Sequence, residues 1–93
     1  MKRGKVEYDD VKVGDGVYVC EGIEIKGGKI TSKSKYAKDM IWIEHQMVNL
    51  DCCFWDKDSA IDYMVNERED WIESAVKDVY RYKDEIEKIK AQR

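Results

Sequence analysis

The side chains best suited to chemistry in this chain of 93 residues are a single histidine and three cysteines. His45 follows Glu44 near the end of an apolar run, so the two could act as an acid and a base, and His45 could activate Cys53 as a thiolate. Neighbours on a strand face opposite sides of a sheet, so Glu44 and His45 cannot converge without another element. The sequence shows no phosphate-binding glycine loop, nucleophile elbow or paired-carboxylate motif. It therefore predicts a protein that is not an enzyme.

A zinc site is the other chemistry open to these residues. Cys20, Cys52, Cys53 and His45 are the ligand types of a Cys₃His site, but no Cys-x-x-Cys pair is present. The favoured interpretation makes Cys52 a small core residue, Cys20 a strand residue and His45 a surface residue at a strand end. We therefore expect neither a metal nor another cofactor.

The charged residues are numerous and nearly balanced, with 17 basic and 20 acidic side chains and a formal net charge of -3. This balance argues against a general binder of nucleic acids or membranes. Three cysteines without framework spacing are typical of a reducing compartment. Neither a signal peptide nor a membrane-spanning run of about 18 apolar residues is visible. The sequence predicts a cytoplasmic protein.

Residues 8–55 have the pattern of a small antiparallel β-sheet, after a start over 1–7 that we expect to be frayed. Glycine turns at 14–16 and 27–28 separate β-branched runs, and stronger strands follow at 40–45 and 48–55. The last of these strands alternates in polarity, and its inward face is predicted to hold Val48, Leu50, Cys52 and Phe54. Four or five short strands at this spacing predict a strongly bent sheet or barrel.

From Asp56, a good N-cap, the apolar spacing becomes that of a helical arm over 56–92 within a single domain of residues 1–93. Without glycine or proline, a continuous amphipathic helix over 57–91 would be about 50 Å long. Its heptad ladder predicts a coiled-coil seam in a homodimer. The seam residues are Val65, Ile72, Val79, Ile86 and Ile89. The alternative is a break near 66–70, with two shorter helices folded back on the sheet.

Two segments carry a resemblance. The run Val-Lys-Val-Gly-Asp-Gly-Val-Tyr-Val at 11–19 resembles the opening of small SH3-like barrels. The segment Cys-Phe-Trp-Asp-Lys-Asp-Ser-Ala-Ile-Asp-Tyr-Met at 53–64 is similar to a pattern in small uncharacterised phage and prophage proteins, in which a helix docks on the barrel after an aromatic pair. The resemblance implies an α+β fold, an SH3-like sheet followed by a helix, and a phage origin in a host cytoplasm. It implies no activity.

One candidate binding surface is an acidic and aromatic face of the helical arm. Its carboxylates could imitate phosphates and occupy a nucleic-acid channel, while its aromatic side chains anchor the contact. The residues are Trp55, Glu67, Glu69, Asp70, Trp71, Glu73 and Tyr80. We therefore predict a phage-encoded inhibitor of a host protein or protein–nucleic-acid complex, of the counter-defence, anti-CRISPR-like kind. A merely solvated helix face is the alternative explanation of the same acids.

A second candidate surface is a lysine-rich hairpin over 26–38. Lysines there could contact phosphates while a tyrosine stacks on a base, although lysines also protect ordinary sheet edges. The residues are Lys26, Lys29, Lys33, Lys35, Tyr36 and Lys38. The alternative function is therefore a nucleic-acid-binding accessory module. It is the second choice because the patch lacks arginine and the helical arm is acidic.

Overall fold

One curled antiparallel sheet and two helices make up the chain, of which this computed structural model describes residues 3–74 and 78–93. The strands are β1 (Gly16–Glu21), β2 (Glu24–Lys33), β3 (Met40–Ile43), β4 (Gln46–Asn49) and β5 (Cys53–Phe54), in the order β4-β3-β2-β1-β5. The helices are α1 (Lys57–Ser74) and α2 (Val79–Lys90), and short 3₁₀ turns lie at Tyr8–Asp10 and Leu50–Cys52. The predicted α+β class is confirmed. The sheet forms a curled half-barrel, whereas an SH3-like identity stays a prediction.

Strand β2 bends and is shared by both halves of the half-barrel. Its first part pairs with β1, and from Ile30 onward it pairs with β3. The register shifts between Ile30 and Ser32, so Thr31 is the extra residue of a β-bulge, which bends the strand. The Thr31 hydroxyl lies 3.2 Å from the carbonyl oxygens of both Trp42 and Glu44. This contact ties the turn between β3 and β4 to the bend.

Gly27 and Gly28 lie inside β2 and do not form the turn that the sequence predicted there. A Cβ atom on Gly28 would lie 2.7 Å from Ile43 Cγ2, whereas one on Gly27 would lie 3.6 Å from the nearest atom, in the Tyr18 ring. Gly28 is therefore required because β3 crosses close to the bent strand. The turn between β1 and β2 contains Gly22, whose φ of 60° is left-handed.

We expect Gly28→Ala to destabilise the protein by about 1–3 kcal/mol, because the new methyl group must displace Ile43 or the strand itself. Gly27→Ala is the matched control. Its methyl group meets ordinary van der Waals contact and restricts the unfolded chain, so stability should be unchanged or slightly higher. Urea unfolding of both variants measures the difference. Equal midpoints would contradict the close approach of β3.

The segment that was expected to be frayed, 1–7, contacts the sheet from residue 4 onward; the first two residues lie outside the described part. Val6 is buried in the barrel core, and its N–H donates to the Cys53 carbonyl at 3.1 Å. The Trp55 N–H donates to the Gly4 carbonyl at 2.8 Å. This segment runs along the outer edge of β5 because its one valine fills the core.

The strand predicted over 48–55 is divided in two. The 3₁₀ turn at Leu50–Cys52 separates β4 from β5, and the Asn49 side chain caps that turn. The turn shifts the alternation by one residue, so Cys53 enters the barrel core and Cys52 is only half-buried. Cys52, predicted as a core residue, packs against the barrel core but is only partly buried, and Cys53 lies within the core.

The single long helix expected over 57–91 is replaced by two helices. The first helix is described as far as Ser74 and the second begins at Val79, beyond the window at 66–70 that was the alternative; 75–77 lie outside the described residues. Asp78, immediately before α2, has a φ of 67° and a ψ of 14°. Aspartate tolerates this left-handed conformation better than most residues, so the chain can turn here without glycine or proline.

The helices form an antiparallel hairpin that packs on the face of the sheet opposite the barrel core. This second core contains Ile61, Met64, Val65, Ile86 and Ile89, with Cys20, Ile23, Ile25 and Ile72 packed against it. Four of the five residues predicted to form a seam with a second copy therefore contact partners within their own chain. The fifth, Val79, is half-buried at the start of α2. The predicted coiled-coil seam is therefore not what this structure shows. The apolar residues of the heptad ladder pack against each other within one chain, because α2 folds back on α1.

Candidate functional site

Arg68 joins both helices to the turn between β1 and β2. Its side chain is only 6% exposed, and Nη2 donates to the Gly22 carbonyl at 2.7 Å. Nε donates to Glu85 Oε1 on α2 at 3.2 Å, and Nη1 lies 3.4 Å from both the Met64 carbonyl and Glu67 Oε1. Charge-assisted bonds of this kind are stronger than neutral ones. Arg68 therefore fixes the position of the hairpin on the sheet.

Trp71 lies three residues after Arg68 on α1, and the side chains of Arg68 and Tyr82 lie against its ring. The Arg68 guanidinium carbon lies 5.1 Å from the Trp71 ring centroid, and the Tyr82 ring centroid lies 5.3 Å away at an interplanar angle of 54°. Both are favourable aromatic geometries. The side chain nevertheless remains 38% exposed. It is thus an oriented aromatic residue with part of its surface open to a partner.

Three exposed carboxylates, those of Glu69, Asp70 and Glu73, lie beside Trp71 in sequence. None of them forms an ion pair with another residue of the described chain. The acids near the beginning of α1 differ, because Arg93 pairs with Asp58 at 3.4 Å and with Asp62 at 2.8 Å. The unpaired negative charge of α1 is therefore concentrated at its C-terminal end.

Five of the seven residues predicted for the acidic and aromatic surface lie at one end of the hairpin, although Glu69 and Glu73 are each two positions from Trp71 and therefore leave α1 on the side opposite its ring. Tyr80 is 88% exposed at the start of α2, at the same end of the hairpin as Trp71. We call the group Glu69, Asp70, Trp71, Glu73 and Tyr80 the hairpin end. Glu67 is separate from it because it is half-buried and bound to Arg68. Trp55 packs on the barrel core before α1, about 20 Å along the helix from Trp71.

The lysines predicted to form one basic surface are divided. Lys26 pairs with Glu21 at 3.0 Å, and this contact lowers the pKa of the Glu21 carboxyl and raises that of Lys26. Lys33 Nζ lies 4.2 Å from the centroid of the Tyr8 ring. Lys29 is exposed on β2. These three lysines occupy separate places along β2.

The other three residues of that prediction stay together on the turn between β2 and β3. Lys35, Tyr36 and Lys38 are all exposed there. No ion pair joins either of these lysines to an acid in the described part of the chain. The turn therefore keeps three of the six residues of the predicted lysine-rich surface together.

A cleft of about 390 Å³ at one mouth of the half-barrel was missed by sequence reasoning. Val19, Ile43 and Val48 contribute apolar lining, and charged side chains line it as well. Glu44 stands at its edge with a φ of 57°, an unusual conformation for a non-glycine residue. The volume falls within the range of ligand pockets. The paired glycines at 27–28, which line it, were the available signal, but they were interpreted as a turn.

The cysteines are not placed for nucleophilic chemistry. Burial raises the pKa of the Cys20 and Cys53 thiols to about 12, so both are neutral near pH 7. His45 lies on the exposed turn between β3 and β4, whereas Cys53 is in the barrel core, so the pair considered above is not assembled.

Within residues 3–74 and 78–93, no three His, Cys, Asp or Glu side chains form a group that could hold a metal ion. Over the same ranges, no helix has the length and apolar character needed to cross a bilayer.

Fold and surfaces together define a class: a small α+β protein in which a curled antiparallel half-barrel is covered on one face by a helical hairpin. No protein-family model, curated protein or solved structure matches the chain. Its function must therefore be inferred from its own surfaces.

Proposed function

We propose that this chain is a binding protein that docks on a basic surface of a partner protein through the hairpin end. The observation that supports this is that three exposed carboxylates, with no ion pair in the described part of the chain, share the C-terminal end of α1 with the partly exposed Trp71 ring. Oppositely charged surfaces accelerate encounter and fix orientation, and a central aromatic residue supplies much of the affinity. The partner would present lysine or arginine side chains to the carboxylates and an apolar depression to Trp71.

The energetics of α1 favour a binding role for these carboxylates over a structural one. Glu73 lies in the last turn of α1, which contains no basic residue, so the negative end of the helix dipole repels it. Glu69 and Glu73 are four positions apart, a spacing at which like charges also repel. Charges that disfavour their own helix, without an ion pair in the described part of the chain, are expected at binding surfaces.

The aromatic residues fit the same role. Trp71 is already oriented by Arg68 and Tyr82, so it would lose little conformational freedom on binding. Carboxylates displayed along a helix can imitate phosphates, so the proposed partner class is a protein whose basic surface ordinarily contacts a nucleic-acid backbone. The phage origin and counter-defence role implied by the resemblance belong to this proposal.

The variant Glu69→Gln/Asp70→Asn/Glu73→Gln tests the proposal. We expect partner affinity to fall by about tenfold or more, while the melting temperature stays the same or rises, because the removed charges disfavour α1. Immobilised wild-type and variant proteins are used to retain partners from a bacterial lysate, and the affinity of each retained protein is then measured after purification.

A charge-matched control keeps this test specific. Glu7→Gln/Glu24→Gln/Glu87→Gln changes the net charge equally at exposed positions elsewhere. The control should retain the same partner as the wild type. Equal retention by the hairpin-end variant and the wild type would reject the proposal.

A further inference from the structure

The turn between β2 and β3, residues 34–39, is more firmly built than a solvated loop needs to be. Ser34 is buried, and its hydroxyl accepts the N–H groups of Tyr36 at 3.3 Å and Ala37 at 3.1 Å. The Tyr8 hydroxyl donates to the Ser34 carbonyl at 2.7 Å. A serine that accepts from the following backbone fixes a turn, and the tyrosine anchors that turn to the barrel.

This fixed turn projects an aromatic ring entirely into solvent. Tyr36 is 100% exposed, so its ring gains no packing from the rest of the chain. Lys35 and Lys38 are exposed on either side of it in sequence, and Lys33 stands at the base of the turn above the Tyr8 ring. Asp39, the last residue of the turn, carries one negative charge against the two positive charges of Lys35 and Lys38, so the turn remains basic. An exposed tyrosine on a fixed turn between cations is suited to a ligand that is both flat and anionic.

We propose that this turn binds single-stranded nucleic acid, with Tyr36 stacked on an unpaired base and Lys35 and Lys38 in contact with phosphates. Bases are available for stacking on a side chain only when they are unpaired. The turn has no arginine or amide side chain for reading base edges in a duplex groove. Binding is therefore tolerant of sequence and selective for single strands over duplexes.

The turn is distant from the hairpin end, so the two activities are separable. It leaves the C-terminal end of β2, whereas Arg68 fixes the helices to the Gly22 turn at the other end. Ten residues of strand span up to about 30 Å. Variants of the turn do not touch the hairpin end, and the reverse also holds.

Fluorescence anisotropy with a labelled oligothymidine of about 12 nucleotides tests the inference on the full chain. Tyr36→Ala should weaken binding by about 10-fold to 100-fold, the range found when a stacking aromatic is removed, whereas Tyr36→Phe should bind like the wild type. Lys35→Gln/Lys38→Gln should weaken binding and reduce the slope of log affinity against log salt by about 1.4. Because these side chains are exposed, circular dichroism should show an unchanged fold.

The matched control is Lys83→Gln/Lys90→Gln, which removes two exposed lysines from α2 and should leave binding unchanged. The hairpin-end variant should also bind the oligonucleotide normally, so failure of the proposed function would be distinguished from failure of this inference. The inference is overturned if the wild type does not bind at low salt, if Tyr36→Ala binds as tightly as the wild type, or if a duplex of the same length binds equally well.

Discussion

Replacing Arg68 with alanine is expected to destabilise the protein by about 3 kcal/mol or more, because it removes a nearly buried guanidinium whose acceptors cannot all be rehydrated. The Gly22 carbonyl loses its donor, and the carboxylate of Glu85, whose side chain is 22% exposed, loses its charge partner. For a domain of this size, the melting temperature should fall by at least about 12 °C. Thermal unfolding followed by circular dichroism measures the shift.

Two further variants show which property of Arg68 matters. Arg68→Lys keeps the charge but replaces a planar fork with a single ammonium group, so it should remain strongly destabilised. Arg81→Ala removes an exposed arginine from α2, and we expect its melting temperature to match the wild type. If the Arg68→Ala protein had the same melting temperature as the wild type, the claim that Arg68 fixes the helices to the sheet would be contradicted.

Ile89→Ala is expected to cost about 2–5 kcal/mol, since Ile89 is fully buried between α1 and the sheet and its truncation leaves a cavity. Val79→Ala is the informative comparison, because Val79 is only half-buried near the break between the helices. In a continuous two-chain seam, Val79 would be a core residue of the ladder. In the hairpin seen here its truncation should cost much less than that of Ile89.

Urea unfolding at two protein concentrations completes this second test. A hairpin closed within one chain should unfold at a midpoint that does not depend on concentration, whereas a chain stabilised by pairing would unfold at higher urea when more concentrated. A midpoint that rises with concentration, or equal costs for Val79→Ala and Ile89→Ala, would favour the two-chain seam.

The cap at the start of α1 is a part of the fold that the sequence predicted correctly. Asp56 was expected to cap a helix, and its carboxylate accepts the Ser59 N–H at 3.0 Å and the Gly4 N–H at 2.8 Å. These bonds stabilise the charged form, and that from Gly4 contributes most to the lowered pKa of Asp56. A cap can be predicted because it depends on residues close in sequence.

The break between the helices could not be predicted in the same way. Asp78 takes a left-handed conformation that glycine or asparagine would have signalled more clearly. The return of α2 is stabilised by burial of Ile86 and Ile89 against α1 and the sheet, which is a tertiary effect. Heptad spacing alone fits both a seam between chains and a hairpin within one chain.

The sequence predicted only part of the candidate surface, because it shows which residues are neighbours along a helix but not which distant residues they contact. Glu69, Asp70, Trp71 and Glu73 are near neighbours in sequence, so their common position in the last turns of α1 follows from the helix. Glu67 was misassigned because periodicity does not show that Arg68 turns inward and binds it. The Ser34 turn depends on Tyr8, 26 residues away, and that pairing has no sequence signal.

Photo-crosslinking at Tyr80 is the most direct test of the claim that the hairpin end is the binding surface. A benzophenone side chain placed at Tyr80, which is 88% exposed, is compared with one at Val13, which is 65% exposed on the barrel. After irradiation with the partner retained by the wild type, we expect a covalent adduct from the Tyr80 position and none from the Val13 position. An adduct from Val13 without one from Tyr80 would contradict the account.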